Sequence, residues 1–382
     1  MTSSFTADDE RAMQRALQLA ALATNSAHPN PRVGCVLVAG GEVVGEGWHR
    51  RAGEPHAEVF ALRAAGARAR GATAYVSLEP CNHVGRTPPC TEALLKAGVS
   101  RVIFAMRDPD PRVDGGGAEH LRRAGVKVES GLLGNEAREL NLGFVSRVQR
   151  SRPWVRLKLA ASLDGRTALA NGESRWITSE AARQDVQLWR ARSDAIMTGV
   201  GTVLADDPEL TLRVGAEPRR QPLRVVLDSH LRTPSSAKLL HAAGETLLLT
   251  TVSQRVTPHA PTSHRPITPP LGKWPAGVTV EVVSADASGR VALQPALARL
   301  GKLPLNELWV EAGATLAGAL LSAALVDELV LYYAPKLLGQ DARPLVDLNS
   351  PMSLSSAIGF QLHSVATLGG DVRLVLRTPG AV

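Results

Sequence analysis

Three short strings between positions 56 and 90 could do chemistry together: His56-Ala57-Glu58, Glu79-Pro80-Cys81 and Pro88-Pro89-Cys90. One imidazole and two thiolates are good zinc ligands, and three protein ligands with an open fourth position is how a catalytic zinc is usually held. A water in that fourth position becomes a usable hydroxide near neutral pH. Glu58 is too close in sequence to His56 to be an independent ligand, but it is well placed to move protons. A His-x-Glu followed by Pro-Cys and a later Cys, with the glutamate as general acid and base, is the zinc deaminase arrangement. A lone cysteine or histidine is more often a core or surface residue; the set at this spacing favours the metal. Asn82 to Pro89 separate the cysteines where the common form is C-x-x-C, so a polar, basic loop is expected beside the metal, shaping the substrate pocket.

The elements that must position these residues are readable. Thr73 to Leu78 is an apolar strand that delivers Cys81, and Cys90 begins a helical run through Ala97 that stops at Gly98. His56 opens a second helical run to Ala69, and helix starts favour negative charge and lower thiol pKa values. Upstream, Asp8 to Ala23 has helical spacing with Asp8 as N-cap. Val33 to Val38 and Glu42 to Gly47 flank the turn Gly40-Gly41 as a hairpin. Asn30, in the stiff loop His28-Pro29-Asn30-Pro31, stands at the mouth of the first strand. Its amide both donates and accepts, which suits a pyrimidine edge; a plain turn residue is the equal alternative. Downstream, Arg101 to Met106 and Val126 to Glu129 read as strands, Ala118 to Ala124 and Asn135 to Val148 as helices. This alternation implies an α/β first domain over residues 1–147, with helices on both faces of a central sheet. Arg147 to Arg152 lacks periodicity and reads as a linker.

Residues 153–382 read as a second α/β domain. Val155, Leu157 and Leu159 alternate with polar or small residues before a tight turn at Ser162-Leu163-Asp164-Gly165. Gly199-Val200-Gly201-Thr202 reads as a turn, and Leu210 to Arg213 as an apolar, strand-like run after Asp206-Asp207-Pro208. Residues 251–277 lack any period and read as a surface loop. The strand Leu308 to Glu311 runs into a turn from Gly313 to Gly318 and then a helix, which is how backbone cradles a pyrophosphate, although such glycines serve packing more often. No Rossmann fingerprint is present. Arg175, Arg183, Arg190 and Arg213 lie near the polar loops, and guanidinium groups grip phosphate bidentately. The residues by themselves point to a phosphate-containing ligand.

Composition sets outer bounds. A chain of 382 residues, 44% of them apolar, suits a soluble protein of two or three domains. Three cysteines argue against a disulfide scaffold and for a reducing compartment; Cys35 reads as core. With no signal peptide and no long apolar run, the cytoplasm is expected and a membrane is not. A net charge of +7 with 4% aromatics favours a phosphorylated small molecule over nucleic acid.

These strings resemble the bifunctional deaminase–reductases of riboflavin biosynthesis over nearly the whole chain. The matching text in the first half is His28-Pro29-Asn30-Pro31, Gly53-Glu54-Pro55-His56-Ala57-Glu58 and Leu78 to Cys81 through Gly85 to Cys90. In the second half it is Lys158 to Arg166, Gly172 to Thr178, Asp206-Asp207-Pro208, Glu311-Ala312-Gly313 and Ala334 to Gly339. The resemblance implies a zinc-dependent, cytidine-deaminase-like first domain and an NADPH-dependent, dihydrofolate-reductase-like second domain. The first would hydrolyse the 2-amino group of 2,5-diamino-6-(5-phosphoribosylamino)pyrimidin-4(3H)-one. The second would reduce the ribosyl side chain of 5-amino-6-(5-phosphoribosylamino)uracil to ribityl. Carried over, zinc falls on His56, Cys81 and Cys90, and proton transfer on Glu58. NADPH falls on Ala160, Trp176, Thr202, Asp206, Ser229 and Gly313-Ala314-Thr315-Leu316-Ala317-Gly318-Ala319. The reductase substrate falls on Ser174, Arg190, Leu210, Arg213 and Glu311, with Lys158 and Asp164 at the same strand end. A nucleic-acid base deaminase with a C-terminal binding domain is the rival reading; it predicts tight, salt-dependent RNA binding. A third reading, a non-catalytic scaffold keeping a relic zinc site, is opposed by the intact Glu58. The sequence leaves a homo-oligomer open.

Overall fold

Thr6 starts the first helix. Its hydroxyl accepts from the Asp9 backbone N–H while the Asp9 carboxylate accepts from the Thr6 N–H, a capping box that begins α1 (Ala7–Ala21). Asp8, the expected cap, therefore lies inside the first turn, because the box needs its acid three residues after the hydroxyl. The computed structural model describes residues 5–83, 88–111, 113, 116–213, 220–252 and 274–380. The chain forms two compact units, Met1–Arg152 and Pro153–Val382.

In the first unit, α1 is followed by β1 (Gly34–Ala39), β2 (Glu42–Trp48), α2 (Ala57–Ala65), β3 (Thr73–Leu78), α3 (Cys90–Ala97), β4 (Arg101–Met106), α4 (Gly116–Arg123), β5 (Lys127–Ser130), α5 (Gly134–Leu140) and α6 (Leu142–Arg150). The sheet order is β2-β1-β3-β4-β5, with β3, β4 and β5 parallel and β1 antiparallel to both its neighbours. Period-two alternation divides the strand side chains between two layers. Cys35, Leu37, Val76, Val102 and Phe104 pack with α2, α3 and α4, whereas Val36, Tyr75, Ile103 and Ala105 pack with α1 and α5. The helix expected over Asn135 to Val148 is broken at Asn141, whose side chain bonds the backbone of Arg32 in both directions, at 2.8 and 3.1 Å. The expected linker is largely helical: α6 continues to Arg150, whose guanidinium donates to the Ser146 hydroxyl.

The second unit runs β6 (Trp154–Ser162), β7 (Arg166–Ala168), α7 (Glu180–Arg192), β8 (Ala195–Gly199), α8 (Val200–Asp206), β9 (Leu223–Leu227), α9 (Lys238–His241), β10 (Thr246–Thr250), β11 (Val278–Val282), α10 (Leu293–Gly301), β12 (Glu307–Glu311), α11 (Ala314–Ser322), β13 (Glu328–Ala334), β14 (Arg343–Pro344), β15 (Gln361–Leu368) and β16 (Asp371–Arg377). The main sheet is ordered β11-β10-β9-β8-β12-β6-β13-β16-β15; every pairing from β11 to β13 is parallel, and the last two are antiparallel. Leu308 and Val310 face the cluster under α10 and α11, while Trp309 faces α7 and stacks on Trp189 at 5.6 Å. Both faces of the parallel sheet are thus covered, so a ligand reaches it at the carboxyl ends of the strands. The turn expected at Gly199 to Thr202 is instead the start of α8, with Gly199 as its extended N-cap. Leu210 to Arg213 forms no strand. Of the loop expected over 251–277, residues 253–273 lie outside the described residues.

Candidate functional sites

The first site is assembled by β3, α2 and α3. His56 is the N-cap residue of α2, which puts Glu58 in that helix's first turn, and Cys90 is the first residue of α3. Cys81 follows the end of β3, where the Glu79 backbone N–H donates to the Met106 carbonyl at 3.0 Å and the Glu79 carboxylate accepts from the Ala118 N–H at 3.0 Å. This strap holds the ligand-bearing turn against α4. Gly117 makes the approach possible, because a Cβ there would lie 1.9 Å from the Pro80 carbonyl oxygen.

The structure brings His56, Cys81 and Cys90 together, their ligand atoms all within 4.8 Å of one another. His56 Nδ1 lies 3.5 Å from Cys81 Sγ and 3.3 Å from Cys90 Sγ. Zinc bonds of about 2.3 Å to sulfur and about 2.0–2.1 Å to nitrogen, at the tetrahedral angle, separate ligand atoms by roughly 3.5 Å, so the donor set fits that ion. The hydrogen bond between the two thiols favours Cys81 as thiolate, with help from the His56 imidazole, while the same bond and burial push Cys90 up. Glu58 is 3% exposed, and its Oε2 is buried with no hydrogen-bond partner. Burial raises its pKa, against the opposing pull of His56. A buried carboxyl with an unused oxygen beside three ligand atoms is equipped to take and give a proton.

Asn30 is also at this site, by way of a residue that the sequence did not single out. His49, 2% exposed, lies edge-on to His56 with ring centroids 5.3 Å apart. Its Nδ1 is 3.2 Å from the Pro55 carbonyl, which only a ring N–H can satisfy, so Nε2 carries the lone pair and accepts the Asn30 amide N–H at 3.0 Å. The Asn30 carbonyl oxygen is left for a ligand. Asp108 was missed as well: burial pushes its carboxyl up to about 7, and it sits within electrostatic range of Glu79 and Cys81. Its only sequence signal is an acid just past the end of a parallel strand. Of the loop between the cysteines, residues 84–87 lie outside the described residues.

The second site lies along the carboxyl ends of β9, β8, β12 and β6. Glu311 ends β12 in register with Lys158 on β6. Arg190 of α7 grips Glu311 bidentately, at 2.6 and 3.0 Å, and donates to the Thr211 carbonyl. Burial works to raise the Glu311 carboxyl, but Arg190, Lys158 and the Trp309 N–H bring it down to about 2. Lys158 is shifted down, by burial first and Arg190 as well, against the attraction of Glu311. Ala160 is half-buried on β6 and Ser229 half-buried just after β9, with β8 and β12 between those strands; Thr202 is in the first turns of α8, and exposed Asp206 ends that helix. Ser174 is half-buried, and Trp176 is 63% exposed with the Arg183 guanidinium 4.4 Å from its ring centroid. Arg213 is exposed, its backbone N–H held by Gln187.

The surroundings of four of these places define what each could offer a ligand. Arg190 is engaged by Glu311 and Thr211, so its guanidinium acts on a ligand mainly through Glu311. The Leu210 side chain packs among Trp189, Ile196 and Trp309 at 3% exposure with φ +51, leaving only backbone to face a ligand. In the Gly313 to Gly318 turn, Ala317 and Gly318 are buried, the Ala317 N–H bonds the Gly313 carbonyl, and a Cβ on Gly318 would meet the Asp347 carbonyl oxygen at 1.9 Å. Gly318 is a packing glycine, and the N–H groups free to meet a phosphate are those of the first turn of α11, from Ala314 to Leu316. Asp164 accepts from the Ser162 hydroxyl and the backbone N–H groups of Leu338 and Gly339, which makes it a loop-builder.

A metal-ready His-Cys-Cys cluster with a buried glutamate, followed by a parallel-sheet unit with an acid–base pair where β12 ends beside β6, defines a two-activity enzyme. Residues 6–106 match the cytidine and deoxycytidylate deaminase zinc-binding region, and residues 153–374 match the RibD C-terminal domain. The riboflavin biosynthesis protein RibD of Escherichia coli K12 is 48% identical over 379 residues, covering 96% of this chain and 99% of its own length. RibD of Acinetobacter baumannii superposes with a TM-score of 0.87 at 44% identity, covering 97% of this chain and 99% of its own. A diaminohydroxyphosphoribosylaminopyrimidine deaminase/5-amino-6-(5-phosphoribosylamino)uracil reductase from Thermotoga maritima superposes with a TM-score of 0.83 at 31% identity, over 97% of this chain and 99% of its own. The chain belongs to the RibD family, and it is a zinc- and NADPH-dependent deaminase–reductase of riboflavin biosynthesis.

Proposed function

We propose that the first unit hydrolyses 2,5-diamino-6-(5-phosphoribosylamino)pyrimidin-4(3H)-one and the second reduces the ribosyl chain of 5-amino-6-(5-phosphoribosylamino)uracil, with the residues in the following roles. His56, Cys81 and Cys90 hold zinc, whose chemistry when bound is to lower the pKa of a water toward neutrality. Glu58 takes a proton from the attacking water and delivers it to the departing amine, so that water replaces the 2-amino group and ammonia leaves. The Asn30 carbonyl, aimed by His49, and Asp108, protonated in part near neutral pH, orient the pyrimidine by hydrogen bonds. The observation that carries this half is the buried, unpartnered Glu58 oxygen beside three ligand atoms of tetrahedral spacing.

NADPH supplies the hydride to the second unit. The first-turn N–H groups of α11 face its pyrophosphate, and Ala160, Thr202, Asp206, Ser229 and Trp176 line its path. Glu311, held by Arg190, fixes a sugar hydroxyl. Lys158 provides the proton that must accompany the hydride, a task for which a half-buried ammonium with a lowered pKa is suited. Exposed Arg213 grips the substrate phosphate. The test is to supply the diaminopyrimidinone with and without NADPH and follow ammonia and NADPH separately. Wild type releases ammonia without NADPH and oxidises NADPH only after deamination; Lys158→Met keeps the first signal and loses the second. Ammonia release that requires NADPH, or a Lys158→Met enzyme reducing at the wild-type rate, would refute the assignments.

A further inference from the structure

NADPH differs from NADH by a phosphate on the 2′-oxygen of its adenosine ribose. A protein that selects NADPH therefore needs cations, and no carboxylate, at that oxygen. The turn after β9 provides both conditions. Asp228, the acid that β9 would present there, is turned inward and fully buried. Its Oδ1 accepts the Arg232 backbone N–H at 2.9 Å, and its Oδ2 accepts the backbone N–H and the hydroxyl of Thr233, each at 2.7 Å. These bonds satisfy the carboxylate internally and set the course of the turn. Leu231 packs against the apolar cluster of Val200, Val203 and Val226, which leaves its neighbours His230 and Arg232 on the outside. Both are exposed, and among the described residues no hydrogen bond or ion pair holds either side chain. The Ser229 hydroxyl oxygen accepts from the Val291 N–H at 3.0 Å, so its own proton is left to donate.

The strand order places this turn correctly for the adenosine end. β9 is two strands from β12, with β8 between them. At the usual strand spacing that is about 10 Å from the start of α11, a distance that the adenosine half of a dinucleotide covers when its pyrophosphate meets α11. We infer that His230 and Arg232 select NADPH over NADH by gripping the 2′-phosphate, with the Ser229 hydroxyl as a third donor. The assignment rests on the cofactor path proposed above and adds to it the discriminating residues.

The test measures binding rather than turnover. Isothermal titration of the full chain with NADPH, NADH and 2′-AMP is carried out for wild type, Arg232→Gln and the double variant His230→Gln/Arg232→Gln. Wild type binds NADPH more tightly than NADH. Arg232→Gln weakens NADPH and 2′-AMP by about tenfold, the loss of a charge-assisted contact, and leaves NADH unchanged; the double variant weakens the phosphorylated ligands further. Both positions are exposed, so the variants fold, and an unchanged Tm verifies it. Equal losses for NADPH and NADH, or no loss for either, overturn the selectivity assignment while the cofactor path stands. A wild-type chain that binds neither dinucleotide overturns the path and the assignment together.

Discussion

Glu58 shows how much one buried side chain can carry. The residue is 3% exposed with an oxygen left unpaired, a costly state that a metal-activated water would relieve. Glu58→Gln keeps the shape and removes the titratable proton. Deamination is expected to fall about 100- to 10,000-fold, measured as ammonia release, with zinc content unchanged by metal analysis; wild-type turnover in that variant would remove Glu58 from the reaction. Glu58 and the three ligand residues stand out in sequence because their types are rare and their spacing is specific. His49 and Asp108 carry no such mark. Each is one polar residue at the end of a strand, and only the packing that buries them distinguishes them from turn residues.

At the scale of elements, the placement of Cys81 depends on how closely α4 approaches the end of β3. Gly117→Ala puts a methyl against the Pro80 carbonyl, at an unrelaxed 1.9 Å, and the backbone must move. A loss of about 1–3 kcal/mol is expected from such overpacking, seen in denaturant unfolding, together with weaker zinc retention in competition with a chelator. A variant as stable and as metal-tight as wild type would show that the strap is slack. Helix α1 is tied to the sheet by Asp9, which accepts from Tyr75 on β3 and Arg101 on β4, each at 2.7 Å. Burial opposes ionisation of Asp9, but Arg101, the Thr6 N–H and Tyr75 prevail and hold the carboxyl at about 2. A folded pKa below the ordinary value means stability that is full above about pH 3.8 and lost as pH falls through 2, amounting to about 2 kcal/mol. Asp9→Asn should therefore flatten the acid limb of the stability curve of the first unit; an unchanged limb would locate the acid sensitivity elsewhere.

For the whole molecule, the division into Met1–Arg152 and Pro153–Val382 predicts separable chemistries. The His56, Cys81 and Cys90 cluster belongs to the first unit and the Lys158–Glu311 pair to the second. Removing zinc with a chelator is expected to abolish ammonia release. NADPH oxidation should persist when the deaminated intermediate is supplied directly. Loss of both activities on chelation would mean that the reductase unit needs the metal to fold. Among the described residues no helix is long and apolar enough to cross a membrane.

The sequence alone determined the types and order of the His-Cys-Cys set, the alternation of strands and helices in both halves, and the glutamate beside the histidine. These follow from residue chemistry and local periodicity, which a linear text contains. Only the tertiary structure decided that Leu210 and Gly318 belong to the interior, that Arg190 spends its charge on Glu311, and that Asp228 turns inward from the β9 turn. Those outcomes depend on partners far apart in the chain, 121 residues in the case of Arg190 and Glu311, and spacing along the chain carries no record of them.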